Sequence, residues 1–298
     1  MIITRTPLRI SLAGGGTDLP GWYYEHGSMF ISAAIDKYIY ITYHRSQFDP
    51  RIRLRYSIME EVDKTDDIKH DIIKETFKRH GIESNVELTS HAEIPSGTGL
   101  GSSGSFGVGI LHAIYGETSR LKLAEEATRI QIEMGHPIGL QDQYVAALGG
   151  INIYRIFQDG TVAIERLKKE PKGLVLFFTG FKRDANEVLK NSSTKGLDKI
   201  QELAWKAKEA LEEGDYREYG ELMNEHWAWK KKRGDMTNPQ IDEWYELGLK
   251  NGAGGGKLVG AGGGGFLLFY TEDKERLIKA MPLQHVPFDW DYEGSKII

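Results

Sequence analysis

The sequence predicts a mixed α+β chain built as two domains, and three observations predict it. A chain of 298 residues, 40% of them hydrophobic, can bury a large core, and its length suits two domains better than one. Its first half sets β-type segments beside glycine clusters and short helical patterns, whereas residues 184–250 are dominated by helical spacing. Between the two, Lys168 to Gly173 (KKEPKG) is polar and carries a proline, the composition of a boundary. The division gives an N-terminal domain of residues 1–170 and a C-terminal domain of residues 171–298.

Residues 2–13 (IITRTPLRISLA) read as a strand pair, or one bent strand broken at Pro7, because proline has no amide to give to a ladder. A first glycine loop, GGGTDLPGWYYEHG, follows, with Asp18 as its early carboxylate. Met29 to Ile35 and Tyr38 to His44 read as two apolar strands, and Asp36-Lys37 has the spacing of a hairpin turn. Ile52 to Ser57 alternates arginine with apolar residues, as an exposed strand does. Ile68, Ile72, Ile73 and Phe77 put helical spacing on Asp66 to His80, which ends at Gly81. Val86 to Ala92 alternates as a strand, with Val86, Leu88 and Ser90 on one side and Glu87, Thr89 and His91 on the other.

Helices follow through Tyr115, over Leu121 to Met134, and over Leu140 to Leu148. Strands at Ile151 to Ile156 and Thr161 to Leu167 close the first domain. The second opens on a buried strand, Leu174 to Thr179. It continues in helices from Asp184 to Lys250, broken near Gly214-Asp215 and at Asn238-Pro239. A glycine-dense stretch, NGAGGGKLVGAGGGGFLLFY, then passes into a strand at Phe266 to Tyr270. A helix at Asp273 to Ala280 and a strand at Gln284 to Phe288 end the chain.

The stretch Glu93 to Gly109, EIPSGTGLGSSGSFGVG, organises the rest. Gly97, Gly99 and Gly101 alternate, and Ser102 and Ser103 fall in the first turn of the helix that follows. A helix start has unpaired amides and the positive end of the dipole, so it suits an anion. Alternating glycines let the backbone wrap its amides around phosphate oxygens, and the hydroxyls can cap the helix or ligate a magnesium ion. A glycine- and serine-rich connector without a ligand has the same composition. No Lys-Ser or Lys-Thr pair closes the loop, so it is not a P-loop, and its spacing is not that of a dinucleotide fingerprint.

Composition excludes several classes. Net charge is −5, with 38 basic and 43 acidic residues mixed along the chain, which is no nucleic-acid footprint. There is no cysteine, so disulfides, thiolate catalysis and zinc–thiolate sites are excluded. The N-terminus has no signal-peptide hydrophobic stretch and no run approaches a membrane span. A soluble cytoplasmic protein is expected.

Residues 95–103, PSGTGLGSS, resemble the second motif of the GHMP kinases, the superfamily of galactokinase, homoserine kinase, mevalonate kinase and phosphomevalonate kinase. Three further segments agree, in order. TPLRISLAGGGTD is similar to the opening motif. It puts Arg9 at the basic position, where an isolated arginine on a strand would read as an edge cation. Thr17 and Asp18 fall in its substrate-binding loop. GHPIGLQDQY resembles the stretch that carries the catalytic aspartate in galactokinases, and the match falls on Asp142, which on local sequence alone also reads as a helix cap. KLVGAGGGG resembles the closing motif of the nucleotide pocket, with Gly262 and Gly263 as its contributors.

This resemblance implies a GHMP kinase fold: an N-terminal lobe with a left-handed β-α-β crossover and a C-terminal ferredoxin-like lobe. It implies ATP and Mg²⁺ as cofactors, with Pro95, Gly97, Gly99, Leu100, Gly101, Ser102 and Ser103 around the nucleotide. Ser103 matches the magnesium-binding serine. The family's metal-binding glutamate has two candidates on a shortened helix, Glu133 and Gln131, of which Glu133 has the charge. Asp142 would accept or orient the sugar hydroxyl, Arg9 would stabilise transferring charge, and Asp18 would bind sugar hydroxyls.

Gly15-Gly16 replace the Glu-His of galactokinases, which argues against galactose. AGGGTDLP, QDQY, the stretch from Arg183 to Leu189, NPQIDEWYELG and VPFDWDYEGSKII instead look like the D-glycero-D-manno-heptose 7-phosphate kinase branch, which phosphorylates the anomeric hydroxyl of a sugar phosphate. Arg183 is then the candidate for the substrate's own phosphate, with Lys230 second. Lys230 to Arg233 (KKKR) otherwise reads as a solvated helix end, and His226 and His26 as structural. Trp22, Tyr23 and Tyr24 wall the sugar pocket or pack in the core. Expected partners are a small sugar or sugar phosphate, neither nucleic acid nor membrane, with homodimerisation left open. A kinase for another sugar or polyol and a non-catalytic ligand sensor are the other readings.

Overall fold

β1 (Ile2–Ala13) and β2 (Ser28–Arg45) form the long antiparallel pair on which a first sheet is built. The structure is a computed structural model and describes residues 1–183, 185–190 and 192–298. The ladder slips between Pro7, which faces Tyr38, and Leu8, which faces Ile35. Asp36 and Lys37 therefore bulge within one strand instead of turning a hairpin, and the slip falls at the proline that cannot donate. The bulge is held from the far end of the chain: the Asp36 amide donates to the Asp289 carbonyl at 3.0 Å, and the Asp36 carboxylate accepts from the Asp289 amide at 2.9 Å.

One edge of β2 hosts two strands, one on each side of the bulge. β6 (Ile151–Ile156) pairs along 28–33 and β5 (Val86–Ala92) along 39–45. β7 (Val162–Arg166) extends the sheet from β6. β3 (Ile52–Arg55) lies parallel to β5 and carries β4 (Met59–Val62), a short strand absent from the sequence reading. The helix expected from Asp66 begins later, as α2 (Asp71–Arg79). The Glu60 carboxylate takes the amides of Lys69 and His70 at 2.7 and 3.3 Å, which holds the chain in a non-helical approach.

Between β1 and β2 lies α1 (Pro20–His26), and α3 (Ser102–Tyr115), α4 (Arg120–Glu133) and α5 (Gln141–Leu148) form the helical layer. From Gly104 to Ala113, α3 is buried on all sides, and small residues along it allow close approach to β1 and β2.

Strands change sheet between Arg166 and Leu174. The second sheet holds β8 (Leu174–Phe178), β9 (Ala253–Leu258), β10 (Phe266–Thr271) and β11 (Gln284–His285) in the antiparallel order β11-β8-β10-β9. Helices α6 (Ala185–Lys190), α7 (Leu197–Glu213), α8 (Tyr216–Lys231) and α9 (Pro239–Lys250) separate β8 from β9, and α10 (Lys274–Ala280) separates β10 from β11. This is the β-α-β-β-α-β order of a ferredoxin-like lobe. Asp184, the expected start of its helical run, lies outside the described residues. The breaks fall where caps form: Asp215 accepts from the Glu218 amide at 2.9 Å and Asn238 from the Ile241 amide at 3.0 Å.

β9 hides in glycines because it runs against α8. A Cβ at Gly255 would lie 1.7 Å from the Gly220 carbonyl oxygen, so no larger residue fits. The expected strand to Phe288 shortens to β11, and the chain end returns to the first sheet as β12 (Lys296–Ile297), paired with β1. The lobes share a core in which Ala204, Ala207 and Leu211 of α7 join Ile10 and Leu12 of β1. The Tyr219 hydroxyl donates to the Leu12 carbonyl at 3.1 Å across the same boundary. No helix among the described residues is long and apolar enough to cross a membrane.

Candidate active site

A cavity of about 900 Å³ opens between the two sheets, and the start of α3 forms part of its wall. Gly101 enters the helix in the left-handed conformation, at φ 78°, and no side chain caps the helix. The amides of Gly97, Gly99 and Gly101 donate to no backbone carbonyl among the described residues. Ser103 is exposed on this wall, and the Ser102 hydroxyl is buried without a hydrogen-bond partner. An uncapped 14-residue helix therefore points its free amides and two hydroxyls at one space.

Asp142 stands beside this helix start. A Cβ at Gly101 would lie 3.3 Å from the Asp142 carboxyl carbon, and one at Gly104 would lie 2.6 Å from the Asp142 Cβ. Absence of side chains at these two positions lets α5 bring its carboxylate against α3. Arg9, from β1, donates through Nε at 2.7 Å to Oδ1 of Asp142, and its Nη2 lies 2.6 Å from the same oxygen. Oδ2 is left for another partner. The Arg9 Nη1 donates to the Gly99 carbonyl at 2.6 Å, so one guanidinium ties the carboxylate to the glycine loop.

Asp18 lies deeper, 6% exposed, and accepts from the Gly16 and Gln141 amides at 3.1 Å each. Burial raises its pKa, and the neighbouring Asp142 charge adds to the effect, which the two amides oppose. Arg9, Asp18, Ser102, Ser103 and Asp142 thus line one cavity, together with Pro95, Gly97, Gly99 and Gly101.

Residues 68–150 match the model for the GHMP kinases N terminal domain, and residues 207–285 match that for GHMP kinases C terminal. The D-glycero-alpha-D-manno-heptose 7-phosphate kinase of Campylobacter jejuni is 30% identical over 99% of this chain and 98% of its own. The chain belongs to the GHMP kinase family. Among solved structures, a putative sugar kinase from Campylobacter jejuni is similar at a TM-score of 0.75 and 28% identity, covering 100% of this chain and 98% of the other. A structure described as a D-glycero-D-manno-heptose 1-phosphate kinase from Bacteriodes thetaiotaomicron shares the fold at a TM-score of 0.80 and 24% identity, covering 100% and 99%. As a sugar-kinase relative, this GHMP kinase is a phosphotransferase with an alcohol group as acceptor.

Several expected site residues stand elsewhere in this GHMP kinase. Glu133 does not line the cavity: its side chain is 51% exposed and pairs with Arg79 at 2.5 Å. Gln131 is buried instead, with neither amide atom bonded, and sits against Gly107 of α3. Thr17 is fully buried, its hydroxyl held by the Gly14 carbonyl at 2.8 Å and the Ser28 hydroxyl at 2.7 Å, so it shapes the loop and does not face the cavity. Leu100 is buried and contributes its carbonyl to the Arg9 amide at 3.0 Å.

Gly262 and Gly263 do not line the cavity: Gly260 and Ala261, two residues earlier, do, and the Gly263 amide is taken by the Met236 carbonyl. Arg183 lines the cavity, but at the glycine end. Its amide donates to Gly97 and its Nη1 to the Asp235 carbonyl at 3.0 Å, and its side chain covers Gly263. Trp22, Tyr23 and Tyr24 do not line the cavity. Tyr23 packs in the core, and the Trp22 indole donates to Gln201. His26 is partly exposed beside Glu25 and Trp22.

Two features escaped the sequence reading. His70 and Phe106 rings lie 4.9 Å apart, and Tyr56 meets His70 at 4.7 Å, forming an aromatic end of the cavity. Burial lowers the His70 pKa, and its Nδ1 makes no hydrogen bond, with the Asp71 carboxylate 3.6 Å away. On the other side, the run expected to be solvated divides. Lys230 and Arg233 are buried on the cavity wall beside His226 and Lys257, while Lys231 and Lys232 turn outward. Burial, with neighbouring positive charge, holds His226 well below its ordinary pKa.

Residues present fit a magnesium ion bound mainly through phosphates. No group of three or more His, Asp or Glu converges among the described residues, whereas the unpartnered Ser102 hydroxyl, the cavity-facing Ser103 and Asp142 are adjacent oxygen donors. Mg²⁺ typically takes one or two protein oxygens and completes its shell with substrate phosphates and water.

Proposed function

We propose that this GHMP kinase transfers the γ-phosphoryl group of ATP to the anomeric hydroxyl of D-glycero-D-manno-heptose 7-phosphate, giving the 1,7-bisphosphate. One observation carries the reading: an uncapped helix N-terminus and a carboxylate with one committed oxygen share a single cavity. The full-length likeness to a heptose 7-phosphate kinase supports the choice of sugar.

Phosphoryl transfer needs charge neutralisation and alignment more than covalent help. The glycine-loop amides and the α3 terminus would hold the phosphates, with the base toward His70 and Phe106. Ser102 and Ser103 would hold Mg²⁺, which when bound neutralises charge on the phosphates. Asp142 would accept or orient the sugar hydroxyl through Oδ2 while Arg9 fixes Oδ1. Asp18 would receive hydrogen bonds from ring hydroxyls.

The domain boundary is placed at 170/171, with β12 an exception that returns to the first sheet. The partner is a small molecule, and the protein works in the cytoplasm. A kinase for another sugar with the same loop remains the second reading, since the family's solved structures include a galactokinase. The test is a panel of sugars and sugar phosphates, scored for ADP release and for product position by phosphorus NMR. A 1,7-bisphosphate from heptose 7-phosphate supports the assignment. Turnover confined to unphosphorylated sugars rejects it.

A further inference from the structure

α8 and the turn that follows it carry a polar stripe on a side that is otherwise apolar. His226, Lys230 and Arg233 recur at four- and three-residue steps, beside the buried Trp227 and Met223. Lys230 and Arg233 are 6% and 4% exposed, and Lys257 of β9, across from them, is 2% exposed. Their recorded hydrogen bonds go to carbonyl oxygens, not carboxylates. Lys230 donates to Leu258 at 3.0 Å and Gly260 at 2.5 Å, Lys257 to Leu12 at 2.7 Å, and Arg233 through Nε to Ser193 at 2.9 Å.

Both terminal nitrogens of Arg233 lack a hydrogen-bond partner among the described residues, on a side chain that lines the cavity. They lie under the first glycine loop: a Cβ at Gly16 would come within 2.4 Å of Nη1. Asp18 is the carboxylate nearest in charge terms, and Asp142 is already held by Arg9. Buried cations without matching carboxylates call for an anion supplied from outside. A phosphate monoester, carrying about −1.5 to −2 charge at neutral pH, has the right magnitude and accepts an arginine fork through two oxygens.

We propose that Arg233, with Lys230 and Lys257 behind it, binds the phosphate that the sugar already carries, beneath Gly16, whose φ of 97° itself requires glycine. The inference rests on the sugar-phosphate reading above. It moves the role from Arg183, whose side chain covers Gly263 and whose Nη1 is taken by the Asp235 carbonyl at 3.0 Å. Burial first, then neighbouring positive charge (Lys257, Arg233 and Arg9 for Lys230, Arg9 for Lys257), lowers the affinity of both lysines for their protons, so a bound dianion also restores their charge.

The test uses the full chain and two acceptors, heptose 7-phosphate and the same heptose without its phosphate. Wild-type turnover of the phosphorylated acceptor comes first, and its absence rejects the substrate reading whatever Arg233 does. Given that turnover, Arg233→Gln should raise KM for heptose 7-phosphate by about 30-fold or more, as loss of a charge-assisted fork does. KM for ATP and the weak turnover of unphosphorylated heptose should change by less than about 3-fold. Arg233→Lys should recover part of the loss.

Thermal stabilisation by heptose 7-phosphate should be seen in the wild type and disappear in Arg233→Gln, a readout independent of catalysis. If Arg233→Gln does not fold, Arg233→Lys, which keeps the charge but not the fork, must by itself show a loss confined to the phosphorylated acceptor. Equal losses for both acceptors, or a loss centred on ATP, overturns the assignment.

Discussion

Oδ1 of Asp142 receives Nε and lies beside Nη2 of Arg9, at 2.7 and 2.6 Å, across 133 residues of sequence. This leaves Oδ2 as the oxygen available to a substrate hydroxyl. Asp142→Asn should therefore lower kcat by about 100- to 10,000-fold, the range for a lost general base. Nucleotide affinity should hold within about 2-fold, because the glycine-loop amides are untouched. Single-turnover phosphoryl transfer beside a fluorescent-nucleotide titration makes the comparison. Near wild-type transfer removes Asp142 from the chemistry.

The same pair predicts an asymmetry in stability. The Arg9 side chain is 7% exposed and that of Asp142 is 29% exposed. Asp142→Ala strands a buried cation, at a cost of about 3 kcal/mol. Arg9→Met strands a carboxylate that water can still reach, and should cost less. Arg9→Met should instead raise KM for ATP, since its Nη1 also holds the Gly99 carbonyl at 2.6 Å. Urea unfolding of the two variants ranks them, and the opposite order contradicts the burial argument.

Glu133 offers a negative control. Half-exposed and paired with Arg79, it does not line the cavity. Glu133→Gln should leave kcat and the Mg²⁺ concentration for half-activation within about 2-fold of wild type, and stability within about 1 kcal/mol, as for surface ion pairs. A 10-fold shift in Mg²⁺ requirement would return this residue to the metal site.

How much of this could be read in advance depended on how local the signal was. The loop at Gly97 to Ser103 was legible because strand, glycines and helix are contiguous, and each flank constrains the next. Arg9 and Asp142 carry no local cue, and only the resemblance joined them. β9 was missed because its glycines remove the alternation by which strands are recognised, and they are glycines for the sake of α8 packing. KKKR looked solvated because charge runs usually are. The available signal was the spacing of His226 and Lys230, which puts them on one helical face with Trp227 and Met223, and Arg233 follows in the next turn. Glu133 had the right charge, but its direction depends on how α4 packs against α2, which no local pattern records.

Lys257 gives the pH dependence. Burial first, then the Arg9 charge, lowers its pKa to about 7. In the unfolded chain it returns to about 10.4. Between these values the unfolded state binds the extra proton, so unfolding free energy must rise with pH across that window and level off above it. Lys230, also lowered by burial, acts with the same sign. Asp18 acts with the opposite sign, since its raised pKa means that the folded state keeps its proton longer, but its window begins in acid, at about 3.9. From pH 7 to 9 the lysines should dominate, and the ligand-free wild type should gain a few kcal/mol relative to Lys257→Met. Denaturant unfolding at pH 7, 8 and 9 in both proteins measures it. A difference that stays constant with pH would mean that Lys257 keeps its proton at neutral pH in the ligand-free protein.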